Sequence, residues 1–86
     1  MRNMTRDEVL AHIKAEHSKN DTEIARLTGD VNDLYNSDSL DTLDAILKLE
    51  YEIERLEGEN WKLAQNLRKL NDGADQSEID GWGYRI

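Results

Sequence analysis

The chain contains no cysteine, no proline and no phenylalanine among its 86 residues. Without cysteine, it can form no disulfide bond, no thiol nucleophile and no thiolate metal site. Without proline, no residue forces a helix to end, so glycine and capping residues must mark the helix boundaries. No apolar run reaches the roughly 18 residues that a membrane span requires, and no signal-peptide core follows Met1. These absences predict a soluble cytoplasmic protein that does not contact a membrane.

Basic residues are also scarce, since eleven Lys and Arg stand against nineteen Asp and Glu, for a net charge of −8. The imbalance lies in residues 30–59, where ten acids accompany only Lys48 and Arg55. Direct binding of nucleic acid requires a basic face, so this distribution argues against it. The acidic band is interpreted either as a solvated helix surface or as a surface that meets a basic partner.

A leucine-zipper heptad pattern runs through the second half of the chain, with leucine at every seventh residue from Leu49 to Leu70. A 3.5-residue apolar period forms a seam that supercoils against another helix. Asn60 lies within the seam, where paired asparagines can fix the register of a dimer. In a parallel homodimer Glu52 would face Glu57 of the partner, so an antiparallel or heteromeric pairing remains open. We predict a homodimer with these interface residues: Ile46, Leu49, Ile53, Leu56, Asn60, Leu63, Leu67 and Leu70.

A second stripe on the same helix predicts that the chain folds back on itself. Its members, at three- and four-residue steps, are Leu40, Leu43, Leu47, Tyr51, Glu54, Gly58 and Trp61. The first helix carries its own heptad register, interrupted by the polar residues His17 and Asn20, with these apolar members: Leu10, Ile13, Ile24, Leu27, Val31 and Leu34. Pairing the second stripe with these residues places Trp61 near Ile13 and Tyr51 near Ile24. The predicted fold is therefore all-α, an antiparallel helical hairpin with coiled-coil self-association. Its helical domain covers residues 1–72, with a first helical region at 5–36, a turn at 36–39 and a helix at 39–71. The first region is expected to form either one bent helix or two short ones, because residues 18–22 are weakly helical.

Capping signals define the ends of these helices. Thr5 and Glu8 have the spacing of a capping box, in which each side chain binds the other residue's backbone N–H. Asp38 or Ser39 is expected to cap the second helix. Gly73 can adopt the left-handed conformation that ends a helix. Residues 73–86 lack helical periodicity and are predicted to be a flexible tail, in which Trp82 and Tyr84 form a possible docking motif.

Chemical motifs are nearly absent. Glu8, His12 and Glu16 follow each other at four-residue steps, but His12 and His17 point to different sides of a helix, so we expect no metal site. A titrating His17 paired with Glu54 or Glu57 is the preferred interpretation. No nucleophile triad or phosphate-binding loop is present, and we expect neither an enzyme nor a cofactor.

Thr22 to Gly29 resembles the first helix and turn of a helix-turn-helix DNA-binding unit, in which the spacing of Ala25 and Gly29 permits close helix packing. The resemblance implies that residues 30–35 form a recognition helix. That segment holds Asp30 and Asp33 and no base, so DNA phosphates would repel it.

Small size, an acidic helical surface and a self-associating seam together resemble small phage-encoded inhibitors, including anti-CRISPR and anti-restriction proteins. The resemblance is one of general character, and it implies a dimeric acidic protein that inhibits or regulates a nucleic-acid-binding partner through a basic surface. The alternatives are a structural coiled coil and a helix-turn-helix regulator. The predicted partner-binding face consists of Asp41, Asp44, Glu50, Glu52, Glu54, Glu57 and Glu59.

Overall fold

The computed structural model describes residues 2–37 and 42–86. It contains three helices: α1 (Arg6–Tyr35), α2 (Thr42–Asn71) and α3 (Gln76–Asp80). Helices α1 and α2 pack against each other as an antiparallel hairpin measuring 54 × 24 × 14 Å. The all-α hairpin predicted from the sequence is confirmed. No helix in the described part of the chain is long and apolar enough to cross a membrane.

Helix α1 begins at the predicted capping box, because the Thr5 hydroxyl accepts from the Glu8 backbone and the Glu8 carboxylate accepts from the Thr5 backbone. The helix then continues without interruption through Gly29 to Tyr35. Residues 30–35 are therefore the last turns of α1. The turn and the separate recognition helix implied by the helix-turn-helix resemblance do not form.

The heptad seams of the two helices pack on each other within one chain. Along α1, Ile13, Leu27 and Val31 are buried, and along α2, Ile46, Leu56 and Leu70 are buried. These residues belong to the heptad stripes of the two helices, so the hairpin buries both stripes between α1 and α2. Asn20 and Asn60 lie opposite each other near the middle of the seam, at 7% and 8% exposure.

The pairing of stripes differs from the sequence-based prediction. Trp61 is 65% exposed and Tyr51 is 72% exposed, so the predicted contacts of Trp61 with Ile13 and of Tyr51 with Ile24 are wrong. The observed pairing of α1 with α2 differs from the predicted pairing by about five residues, or roughly one and a half helical turns. The physical reason is the composition of the stripes. The heptad seam of α2 has one polar residue in eight, whereas the other stripe carries Glu54 and Gly58 at its centre and buries less apolar area.

Consequently, part of the predicted oligomer interface is covered by the chain's own first helix. Ile46, Leu56, Asn60 and Leu70 are buried, and Leu49, Ile53, Leu63 and Leu67 are half-buried. While the hairpin has this form, the buried members cannot face a second chain. Association of two chains stays a prediction, and it would require a different surface.

The C-terminal segment, predicted to be a flexible tail, folds against the open end of the hairpin. Gly73 has the predicted left-handed conformation (φ 95°), and the chain then turns back. Asp75 caps α3, whose Ile79 is 1% exposed and joins Val9, Ile13 and Leu70 in the core. This small core closes the hairpin at the end where both chain termini lie.

Backbone pairing fixes the two termini together. The N–H of Met4 donates to the carbonyl of Tyr84 over 3.1 Å, and the N–H of Ile86 donates to the carbonyl of Arg2 over 3.0 Å. At the opposite end of the hairpin, Asn36 caps α1. The predicted caps Asp38 and Ser39, the stripe residue Leu40 and the acidic-face residue Asp41 lie outside the described residues.

Candidate functional site

A layer of polar side chains crosses the middle of the hairpin. The Asn60 amide nitrogen donates to the Asp21 carboxylate over 2.9 Å, and the Asn20 amide nitrogen donates to the Glu59 carboxylate over 3.5 Å. Asn60 Oδ1 is buried and has no hydrogen-bond partner among the described residues. Each asparagine therefore reaches a carboxylate at the rim of the opposite helix.

This layer fixes the pairing of the two helices. A shift of α2 along α1 would break the contacts of Asn60 with Asp21 and of Asn20 with Glu59, and each buried amide left without a partner would cost about 1 to 3 kcal/mol. His17 Nδ1 lies 3.2 Å from the Asp21 carboxylate, so the predicted pairing of His17 with Glu54 or Glu57 is wrong. Asn60 thus acts inside one chain, whereas the sequence assigned it a register role between two chains.

The polar layer also separates two halves of very different charge. In sequence, residues 20–60 carry twelve acids against Arg26, Lys48 and Arg55, whereas the rest of the chain has seven acids and eight bases. Because α1 and α2 are antiparallel, residues 20–37 and 42–60 lie side by side in the half nearest the turn. We call this part of the molecule the acidic half. The fold thereby adds acids of α1 to the acidic band of α2.

Two arginines partly neutralise the acidic half. The Arg26 guanidinium binds Glu23 and Asp30 along α1, and the Arg55 guanidinium binds Glu52 and Glu59 along α2. The hydrogen bond from each arginine lowers the pKa of its glutamate, Glu23 or Glu52, below the usual value. All four acids remain on the surface of the acidic half.

The predicted acidic face is exposed wherever the structure describes it. Asp44, Glu50, Glu54, Glu57 and Glu59 are exposed, and Glu52 is half-buried. The Tyr35 hydroxyl donates to Glu50 over 2.8 Å, which raises the pKa of Tyr35. Among the described residues, Asp44, Glu54 and Glu57 have no ion-pair partner. Their charge is therefore uncompensated within the described chain.

Large apolar side chains remain exposed along the outer face of α2. Leu43, Leu47, Tyr51 and Trp61 are 57%, 63%, 72% and 65% exposed. They lie on the side of α2 opposite the seam, and we call them, with Glu54 and Gly58, the outer stripe. Several large apolar side chains exposed on one face of a helix are uncommon on a monomer and usually mark an interaction site. The periodicity revealed the stripe, but the sequence assigned it to the interior of the hairpin.

The predicted tail motif has a structural role. Trp82 and Tyr84 are half-buried against the small core that the C-terminal segment forms with the hairpin. The Tyr84 ring meets His12 edge to face at 5.3 Å, and Asn66 donates to the Tyr84 hydroxyl over 3.2 Å. Arg6 donates to the carbonyls of Leu70 and, over 2.9 Å, Ala74. These contacts tie the C-terminal segment to both helices, so the aromatic pair is not displayed as a free peptide.

The described residues include no group of three or more histidine, aspartate or glutamate side chains arranged to hold a metal ion. No protein family matches the chain, and no curated protein or solved structure is significantly similar to it. The surfaces that distinguish this hairpin are therefore the acidic half and the outer stripe.

Proposed function

We propose that the protein is a non-enzymatic binding protein whose acidic half occupies a basic surface on a partner, a surface that otherwise holds nucleic acid. The single observation that supports this proposal is the separation of charge along the hairpin. A charged surface made only for solubility has no need to collect its acids in one half. We further propose that the protein acts as a homodimer.

The charge density supports competition with nucleic acid. The described residues of the acidic half include ten acids and three bases. This half spans roughly 27 Å, at 1.5 Å of helix rise per residue. Its net charge is therefore about one per 4 Å, close to the one phosphate per 3.4 Å of a single DNA strand. A groove that binds a nucleic-acid backbone through Lys and Arg would meet a similar array of acceptors.

The competing interpretation is that the acidic half is only a solvated surface. Two variants in which acids are replaced by amides distinguish this interpretation from binding of a basic partner. The first carries Asp30→Asn, Asp33→Asn and Glu57→Gln, three exposed or half-exposed acids of the acidic half that lie off the outer stripe. The matched control carries Asp7→Asn, Asp72→Asn and Glu78→Gln, which change the net charge equally in the other half. Circular dichroism checks that both variants keep the helical fold.

Each form is immobilised and exposed to a nuclease-treated cell lysate. Proteins retained by the wild type and the control but lost with the acidic-half variant are then purified with a labelled DNA or RNA ligand bound. We expect the free protein to release that ligand, with an effect that weakens as salt rises. Equal retention on all three forms, or a ligand that stays bound, would overturn the proposal.

A further inference from the structure

The outer stripe exposes more apolar surface than a monomeric hairpin needs. The exposures of Tyr51 and Trp61 leave roughly 100 to 180 Å² of each side chain accessible. Leu43 and Leu47 extend this surface toward the turn, and each is more than half exposed. Two copies joined along the stripe would bury on the order of 1,000 Å², near the lower limit for a specific interface.

The positions on this face are symmetric about residue 56. From Leu43 they follow each other at steps of four, four, three, four and three residues to Trp61, and then at four and four to Gln65 and Lys69. The order of steps is the same in both directions. Two antiparallel copies therefore place Tyr51 against Trp61, Leu47 against Gln65, and Glu54 against Gly58 of the second copy.

The charges flanking the stripe are also complementary in this arrangement. Asp44 and Glu50 border its N-terminal part, while Lys62 and Arg68 border its C-terminal part. Antiparallel pairing keeps each edge of the stripe on its own side, so Glu50 shares an edge with Arg68 of the other copy, and Asp44 shares the opposite edge with Lys62 of the other copy. Within the described residues, Lys62 and Arg68 have no ion-pair partner. A basic partner seated along the whole stripe would be repelled by Lys62, Arg68 and Lys69, so the face fits a second copy better.

The contacts within a single chain do not explain why residue 58 is a glycine. A Cβ atom built at this position would meet no atom within 4 Å, so no close contact inside the chain requires glycine. Glycine in the middle of a helix weakens it relative to alanine. At the centre of an antiparallel pair, the missing side chain gives the Glu54 side chain of the second copy room to lie between the helices.

We propose that the protein forms an antiparallel homodimer through the outer stripe of α2, with Tyr51 of each copy packed on Trp61 of the other. The heptad seam stays inside each hairpin. The two acidic halves then meet near the dimer centre and extend from it in opposite directions, so each end of the dimer carries the acids of one copy and the molecule is bivalent toward a partner with a basic surface. The interface excludes Asp30, Asp33 and Glu57, so dimerisation and partner binding can fail separately.

Sedimentation equilibrium of the variants Trp61→Glu and Tyr51→Glu tests whether the outer stripe forms the dimer interface. We expect a wild-type dimer with a dissociation constant in the micromolar range and at least a tenfold weaker association of both variants. The matched control is Ile86→Glu, which adds the same charge at an exposed apolar residue far from the stripe. A wild type that is monomeric at hundreds of micromolar (well above that range), or variants that dimerise as the control does, would overturn the proposal.

A charge exchange tests the orientation. Glu50→Lys and Arg68→Glu should each weaken the dimer several-fold, because each places like charges on the same edge of the interface. The double variant restores both opposite-charge contacts only if the copies are antiparallel, so its association should return toward that of the wild type. A double variant weaker than either single variant would exclude this arrangement.

A distance measurement provides an independent answer. The chain has no cysteine, so Asp72→Cys gives one spin label per copy. In the antiparallel dimer the two labels are separated by roughly 48 Å along the helix axis, at 1.5 Å per residue. In a parallel dimer they would lie about 10 to 20 Å apart, near the spacing of two packed helices. A main distance in that shorter range would overturn the antiparallel proposal, whichever surface is used.

Discussion

The Asn60 side chain donates to the Asp21 carboxylate across the hairpin, over 2.9 Å, while Asn60 Oδ1 remains buried without a partner among the described residues. The contact joins the two helices inside one chain. It selects one register at the expense of stability, as polar residues do in the seam of a coiled coil.

Asn60→Leu should stabilise the hairpin, because it replaces a buried, unsatisfied carbonyl oxygen with apolar volume in the seam. The gain should be about 1 kcal/mol or more in the free energy of unfolding, measured by urea titration. Asn71→Leu, at the exposed end of α2, is the control and should change stability little. A loss of more than about 1 kcal/mol for Asn60→Leu would mean that the amide contact to Asp21 outweighs the unsatisfied oxygen.

Leu56→Asp should unfold the protein, because Leu56 is 5% exposed in the seam and an aspartate there would bury an unpaired charge. The expected cost is about 3 to 5 kcal/mol, a large part of the stability of a small domain. The control variant Leu47→Asp makes the same substitution at a residue that is 63% exposed. This variant should keep its helical circular dichroism signal at low micromolar concentration. If Leu56→Asp gives a folded monomer while Leu47→Asp unfolds, then the outer stripe, and not the heptad seam, packs against α1.

Ile79→Ala should destabilise the whole hairpin, because Ile79 closes the core formed with Val9, Ile13 and Leu70. Removing its buried methyl groups should cost about 2 to 5 kcal/mol, measured by thermal or urea unfolding. Ile86→Ala, at 54% exposure, should cost less than about 0.5 kcal/mol. Equal and small effects of both substitutions would indicate that the C-terminal segment contributes nothing to the fold.

Acid should destabilise the N-terminal cap of α1. The hydrogen bond from Arg2, together with the Thr5 backbone N–H, lowers the pKa of Glu8 to about 2. Since the folded-state pKa lies below the unfolded one, this contribution is present above about pH 4.5 and is lost as pH falls toward 2. Glu8→Gln should remove that part of the pH dependence of unfolding between pH 2 and 5. The control Glu57→Gln should retain it, and identical slopes for the wild type and Glu8→Gln would contradict the assignment.

The sequence predicted much of the local structure because the relevant interactions are short in range. The capping box at Thr5 and Glu8, the left-handed Gly73 and the two amphipathic helices all depend on residues within a few positions of one another. The C-terminal segment was missed because it has no helical repeat. Its apolar anchors, among them Ile79, Trp82 and Tyr84, gain their partners from distant parts of the chain.

The sequence by itself determined that two long helices carry apolar stripes and that polar residues interrupt those stripes at Asn20 and Asn60. Only the tertiary structure decided which stripe of α2 faces α1. Both stripes satisfy the geometry of a hairpin, and the difference between them is a sum of burial energies over the whole interface. The more apolar seam is buried because it removes more hydrophobic area from water, and its two asparagines can then reach Glu59 and Asp21 at the rim.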